Sequence, residues 1–171
     1  PRGARDVRVV LLTNGLGFGG AERIVETLAD GLRARGDAVR IAATTRGGPI
    51  ADALAARGHR VDVLGIRGPG DARVALRLRR VVAAHQAEVL HSHLAVADIA
   101  AALVRASMGE LRALSTVHNP GVELGRAKRR LWGPALRRMD AVVAVSRAAR
   151  AGLPAGVSAR RGPPSRRPRG C

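Results

Sequence analysis

Apolar positions along the chain form short unbroken runs that alternate with segments where they recur every third or fourth residue. Residues 7–13, VRVVLLT, are one such run, rich in β-branched side chains, as suits a strand buried on both faces. After it, Ala21, Ile24, Val25, Leu28, Ala29 and Leu32 keep helical spacing while Arg23, Glu26, Asp30 and Arg33 take the opposite face, and Gly36 ends the helix. The same grammar predicts a strand over 38–44, a helix over 49–57 opened by Pro49 and closed by Gly58, and a strand over 60–64. It continues with a helix from about 71 to 85, a strand over 87–93, a helix over 96–106 and a strand over 112–118. A basic helical stretch near 123–138, broken at Gly133-Pro134, and a last strand over 140–146 complete the pattern.

Six strands alternating with helices predict an α/β fold: a Rossmann-like, doubly wound parallel sheet with helices on both faces, in a single domain over residues 1–155. In such sheets ligands sit beyond the carboxyl ends of the strands, where the strand order reverses. The residues expected on that rim are 14–20, 91–93, His118, Asn119 and Ser146.

Composition adds limits. The chain is 46% hydrophobic and 25% charged, and its only aromatics are Phe18 and Trp132, so the core must be aliphatic. No run approaches the roughly 18 apolar residues of a membrane-spanning helix, and the start PRGARDVRVVLLT lacks a signal-peptide pattern, which predicts a cytoplasmic protein. The single cysteine, Cys171, excludes an internal disulfide and a cysteine-based metal site. A start at Pro1 rather than methionine reads as a fragment or a trimmed product. The formal charge is +17, from 30 basic and 13 acidic residues, which favours anionic partners without choosing among phosphates, nucleic acid and acidic lipid. Residues 156–171, GVSARRGPPSRRPRGC, hold five of the arginines and no acid, and their lack of periodicity predicts a disordered tail.

The loop NGLGFGG, residues 14–20, offers several readings. Gly15, Gly17 and Gly20 fit the dinucleotide spacing between a strand and a helix, where glycine lets backbone approach a phosphate and the helix presents free N–H groups. A dinucleotide site also places an acid at the end of the second strand; here that strand ends in Thr44-Thr45-Arg46, and an arginine there suits the extra phosphate of NADP. An NADP-binding oxidoreductase domain is thus one alternative, and a tight turn with no ligand is another. Glu22 complements the helix dipole from the first turn. His91 and His93 share one face of their strand and Ser92 the other. With His118 they could ligate zinc, yet no acidic residue adjoins those strand ends to orient the rings, so the expected metal is none. His59 and His85, beside helix ends, read as solvated or capping residues.

Four motifs occur in order: Gly-Gly-Ala-Glu-Arg at 19–23, His-Ser-His at 91–93, Ser-Thr-Val-His-Asn at 115–119 and Asp-Ala-Val-Val-Ala-Val-Ser at 140–146. Together they resemble the amino-terminal, acceptor-side domain of family 4 glycosyltransferases, retaining enzymes of the GT-B fold. The likeness covers about residues 7–155. It implies hexosyl transfer from a nucleotide-sugar donor to a hydroxyl acceptor, with no separate cofactor. Carried onto this sequence, it implies His118 as the catalytic residue beside the transferred sugar. Gly19 and Gly20 would face the diphosphate or the acceptor, His93 would contact the acceptor, and Asn119 and Ser146 would line the substrate cleft. Family members continue into a second Rossmann-like domain, and nothing comparable follows here. The abrupt change after residue 155 is therefore expected to be an out-of-frame end of a truncated gene, leaving a chain not competent alone.

Arg73, Arg77, Arg79 and Arg80, and later Arg126, Lys128, Arg129, Arg130, Arg137 and Arg138, form basic helical faces that suit peripheral contact with an anionic membrane or simple solvation. A basic nucleic-acid-binding module is the remaining alternative. No helix-turn-helix, zinc finger or aromatic platform supports it, so no nucleic acid is expected as a partner.

Overall fold

The computed structural model describes residues 6–66, 71, 73–119 and 124–161. β1 (Arg8–Gly15), α1 (Gly20–Ala34), β2 (Ala38–Arg46), α2 (Pro49–Ala56) and β3 (Arg60–Val63) form the first half. α3 (Arg73–Ala84), β4 (Val89–His93), α4 (Ala95–Ser107), β5 (Arg112–Val117), α5 (Arg126–Arg137), β6 (Ala141–Ala144), α6 (Arg147–Ala151) and β7 (Arg160–Arg161) form the second. The sheet is parallel throughout, in the order β3-β2-β1-β4-β5-β6-β7. The expected doubly wound architecture is what the chain adopts, with its order reversing between β1 and β4.

β1 is central because its residues can be buried on both faces, and Val9 to Thr13 are. Val9 and Leu11 pack with Ile41 and Ala43 under α1 and α2, while Val10 and Leu12 pack with Ala42 and Leu90 under α3 and α4. Alternation by two thus divides one apolar run between two cores. Burying each such leucine stabilises the fold by roughly 1.5–3 kcal/mol.

Two expectations give way. α5 is not broken at Gly133-Pro134; the helix runs through Pro134, because Trp132, Gly133, Ala135 and Leu136 are buried and hold it in place. Gly133 serves a close approach, since a Cβ there would lie 3.2 Å from Pro154 Cβ. The boundary expected at residue 155 also falls too early. Ala159 is buried with Trp132, Val142 and Ala149, Val157 packs on the same cluster, and Arg160–Arg161 pairs with β6 as a seventh strand. Apolar contact and strand pairing carry the fold that far, so residues 156–161 are not a disordered tail; the remainder of that segment, 162–171, lies outside the described residues. Among the described residues no helix is long and apolar enough to cross a membrane.

Candidate functional site

Because every strand runs the same way, the glycine loop after β1, His93 at the end of β4, His118 after β5 and Ser146 after β6 all reach one rim. Register confirms it: Leu12 lies beside Ser92, His93 beside Thr116, and Val117 beside Ala144.

The glycine loop is held at its base and open at its tip. Leu16 is fully buried, its N–H donates to the Arg46 carbonyl, and its carbonyl accepts from the Ile50 N–H at 3.2 Å. Gly48 makes this anchoring possible: its φ of +148° and a would-be Cβ 2.8 Å from the Leu16 oxygen exclude a side chain. None of Gly15, Gly17, Gly19 and Gly20 has a positive φ. A Cβ at Gly17 or Gly20 would meet nothing within 4 Å. The tight-turn reading therefore lacks a cause, since neither backbone strain nor internal packing requires glycine at those two positions. Gly19 differs, because the Glu22 carboxylate folds back into the space a side chain there would take. Phe18, between them, is 80% exposed.

The histidines form one cluster on the face of β4 and β5 opposite Ser92. His91 Nε2 lies 2.8 Å from Thr116 Oγ1, and His93 Nδ1 lies 3.0 Å from His118 Nε2. The His91 and His93 rings stand 4.5 Å apart, the His93 and His118 rings 5.3 Å. Burial pushes the His91 pKa down to about 4, helped by the charge of His118. It also lowers His93 well below the usual imidazole value, with smaller contributions from His91 and His118. His118 is lowered by burial too, an effect opposed by the Glu22 carboxylate. The first turn of α1 and the end of β5 thus act on one another electrostatically. All three rings are neutral near pH 7.

His93 is fully buried, so it is not placed to touch an acceptor; it lies beneath His118, where β4 and β5 enclose it. His118 and Asn119 are only partly buried, and Gly19, Gly20 and Ser146 are exposed. The Ser146 oxygen accepts from the Ala149 N–H at 3.0 Å and caps α6. The nitrogens of His91 and His118 are turned to different partners, and among the described residues no three His, Cys, Asp or Glu converge as metal ligands. His59 is not solvated: its Nε2 pairs with Asp30 Oδ1 at 2.7 Å in a buried position, because α1 packs over it. His85 contacts the Ala38 carbonyl at 3.0 Å.

Sequence reasoning placed Asn14 on the rim but missed its bonding role, and it missed Leu94 and Asp98 altogether. Asn14 spans the switch point: its carbonyl accepts from the Thr44 and Thr45 hydroxyls, and its Oδ1 accepts from the Ala97 N–H in the first turn of α4. Leu94, between His93 and α4, holds a φ of 76° and a ψ of 152°, a strained conformation for a non-glycine residue. Asp98, fully buried on α4, accepts from Ser92 at 2.7 Å, Ser115 at 2.8 Å and Trp132 Nε1 at 2.7 Å. Burial raises its pKa to about 6 against the lowering effect of those hydrogen bonds. A cavity of about 760 Å³ opens at the opposite ends of the strands, near Arg8, Gln86, Glu88 and Arg112, away from the histidines and the glycine loop.

A doubly wound parallel sheet with an open glycine loop after β1 and imidazoles at the ends of β4 and β5 defines a Rossmann-like domain. The chain belongs to Glycosyltransferase Family 4, whose family model matches residues 18–162. Among solved structures it is similar to HepE of Anabaena, determined in complex with UDP, with a TM-score of 0.70 at 16% identity over 85% of this chain and 40% of that one. It is also similar to MurG of Acinetobacter baumannii, at 0.59 and 16% identity over 90% and 44%. UDP-N-acetylglucosamine 2-epimerase of Rickettsia bellii shares the fold at 0.59 and 10% identity over 88% and 43%. At such identities these likenesses concern the fold. No curated protein matches the chain. The chain spans about two-fifths of the length of the structures it resembles, 40% of HepE and 38% of a glycosyltransferase from Rickettsia africae.

Proposed function

We propose that this chain is the acceptor-side wall of a retaining, nucleotide-sugar-dependent glycosyltransferase that transfers a hexosyl group to a hydroxyl. The observation that carries the reading is that an open glycine loop after β1 and His118 after β5 reach the same rim of the parallel sheet. The transition state resembles an oxocarbenium ion leaving a diphosphate. Unblocked backbone at Gly17 and Gly20, followed by the positive end of α1, suits the charge that develops on that diphosphate. His118, neutral near pH 7, serves as a hydrogen-bonding catalytic group beside the sugar rather than as a fixed cation. Asn119 and the outward side of Ser146 extend the same wall, and Gly19 contributes only with Glu22 displaced. HepE and a DNA-containing α-glucosyltransferase structure, both determined with UDP, support a nucleotide-sugar donor by fold likeness. Paired with a second domain, this wall would complete the cleft.

The test is titration of the ¹⁵N-labelled chain with UDP- and GDP-sugars, NADPH and a DNA oligonucleotide, followed by amide shifts. A sugar nucleotide should perturb residues 15–22 and His118, with affinity in the millimolar range. Gly20→Val should weaken that binding at least tenfold (about 1.4 kcal/mol) while leaving the melting temperature unchanged. Tighter binding of NADPH, or perturbation confined to the opposite ends of the strands, would overturn the reading.

A second reading concerns where the acceptor resides. An apolar groove between α4 and α5, lined by Ile99, Leu103, Leu131, Pro134 and Arg138, lies on the helix that also carries Arg126, Lys128, Arg129 and Arg130. Leu103 and Leu131 are each 54% exposed. We propose that this face makes peripheral contact with an anionic membrane at the cytoplasmic side. Co-sedimentation with anionic vesicles should fall steeply with salt, and equal binding to neutral vesicles would count against it.

A further inference from the structure

We propose that His93 is a positioning residue that holds His118 in the tautomer carrying its proton on Nδ1, so that this N–H is what the ring offers to the cleft. The inference deepens the reading above and rests on it only for the identity of the group that receives the N–H.

The contact between His93 Nδ1 and His118 Nε2, at 3.0 Å, is a hydrogen bond between two ring nitrogens and holds one proton. With both rings neutral there are two arrangements. In the first, His118 Nε2–H donates to His93 Nδ1. His93 then carries its own proton on Nε2, a nitrogen that is buried and has no hydrogen-bond partner. In the second, His93 Nδ1–H donates to His118 Nε2. The same buried nitrogen is then a bare lone pair, and His118 must carry its proton on Nδ1. Buried N–H groups without an acceptor are rarer in folded proteins than acceptors without a donor, so the second arrangement is favoured.

The His91 ring, 4.5 Å from that of His93 and itself tied to Thr116, fixes the plane in which His93 donates. His118 therefore presents a donor, suited to a sugar hydroxyl or phosphoryl oxygen, and it cannot act as a base through that nitrogen while the bond to His93 lasts.

Long-range ¹H–¹⁵N correlation of the imidazole nitrogens of the labelled chain, near pH 7.5, reads the tautomer directly. The wild-type chain should show His118 Nδ1 as the protonated nitrogen and Nε2 as the bare one. His93→Asn keeps an N–H donor close to the position of Nδ1 and should preserve that pattern. His93→Leu removes the donor and should let His118 relax toward the mixture of a free imidazole. A protonated Nε2 on His118 in the wild-type chain overturns the proposal without recourse to any variant, as does a folded His93→Leu chain with the wild-type pattern. Sugar-nucleotide titration of the same samples separates the two readings: the expected tautomer without binding sinks the proposed function alone, and binding with the opposite tautomer sinks this inference alone.

Discussion

β4 and β5 build two buried polar clusters from alternate residues, and the two are finished differently. On one face Ser92 and Ser115 turn to Asp98, whose two oxygens receive three donors from β4, β5 and α5. On the other, His91, His93, Thr116 and His118 form a chain of contacts that ends on a nitrogen with no partner and on a ring only partly buried. The first is closed and joins a helix to a sheet. The second keeps one buried nitrogen unpaired on His93 and is open to an incoming group only at His118, next to the rim. A polar cluster whose every atom is satisfied stabilises; one left short of partners at a strand end is the better place to look for binding.

The largest test of this contrast is Asp98→Ala. It strands the Ser115 hydroxyl and the Trp132 N–H in the interior while Ser92 turns to the Leu114 carbonyl, and urea denaturation should show a loss of about 3–5 kcal/mol. Thr116→Val, by comparison, should cost less than half as much, and equal losses would erase the distinction.

pH separates the clusters next. His91 has a folded pKa of about 4 against an ordinary 6.5, so the unfolded chain binds the extra proton between those values and stability falls as pH drops through them. His93 and His118, shifted in the same direction, add to that loss. Asp98, at about 6 against 3.8, works oppositely: the folded state holds the proton between those values, so its contribution is fully present below pH 3.8 and is lost as pH rises through 6. His91 and Asp98 each amount to roughly 3 kcal/mol and largely offset each other between pH 4 and 6. His91→Asn should therefore flatten the loss of stability on acidification from pH 6.5 to 4.5, measured by urea midpoints across that range. A steeper loss in the variant would mean that His91 is not buried neutral.

The smallest expected effect is Ser115→Ala, about 1 kcal/mol, because Asp98 keeps two donors. The same substitution removes one influence that lowers the Asp98 pKa, so its titration should move upward when followed by carboxyl ¹³C shifts.

Much of this was readable in the chain. The apolar run at residues 9–13 and the helical spacing from Ala21 to Leu32 fixed the alternation of elements, because periods of two and 3.6 follow directly from backbone geometry. Alternation also placed His91 and His93 together and Ser92 apart. Depth was not readable, since the burial of His93 depends on what covers β4, which no local pattern states. Asp98 gave a faint signal: it is a lone carboxylate within the apolar stretch LAVADIAAAL, and only the tertiary arrangement supplies its partners from residues 92, 115 and 132. The helix through Gly133-Pro134 was misread for the same reason, since contacts around Trp132 and Leu136 outweigh the local preference to break.

Asn14 carries a mechanical consequence. With its carbonyl gripped from β2 and its amide oxygen gripped by α4, it rivets the two halves of the sheet together where they would otherwise part most easily. Any widening of the rim at this point would have to break those three hydrogen bonds first.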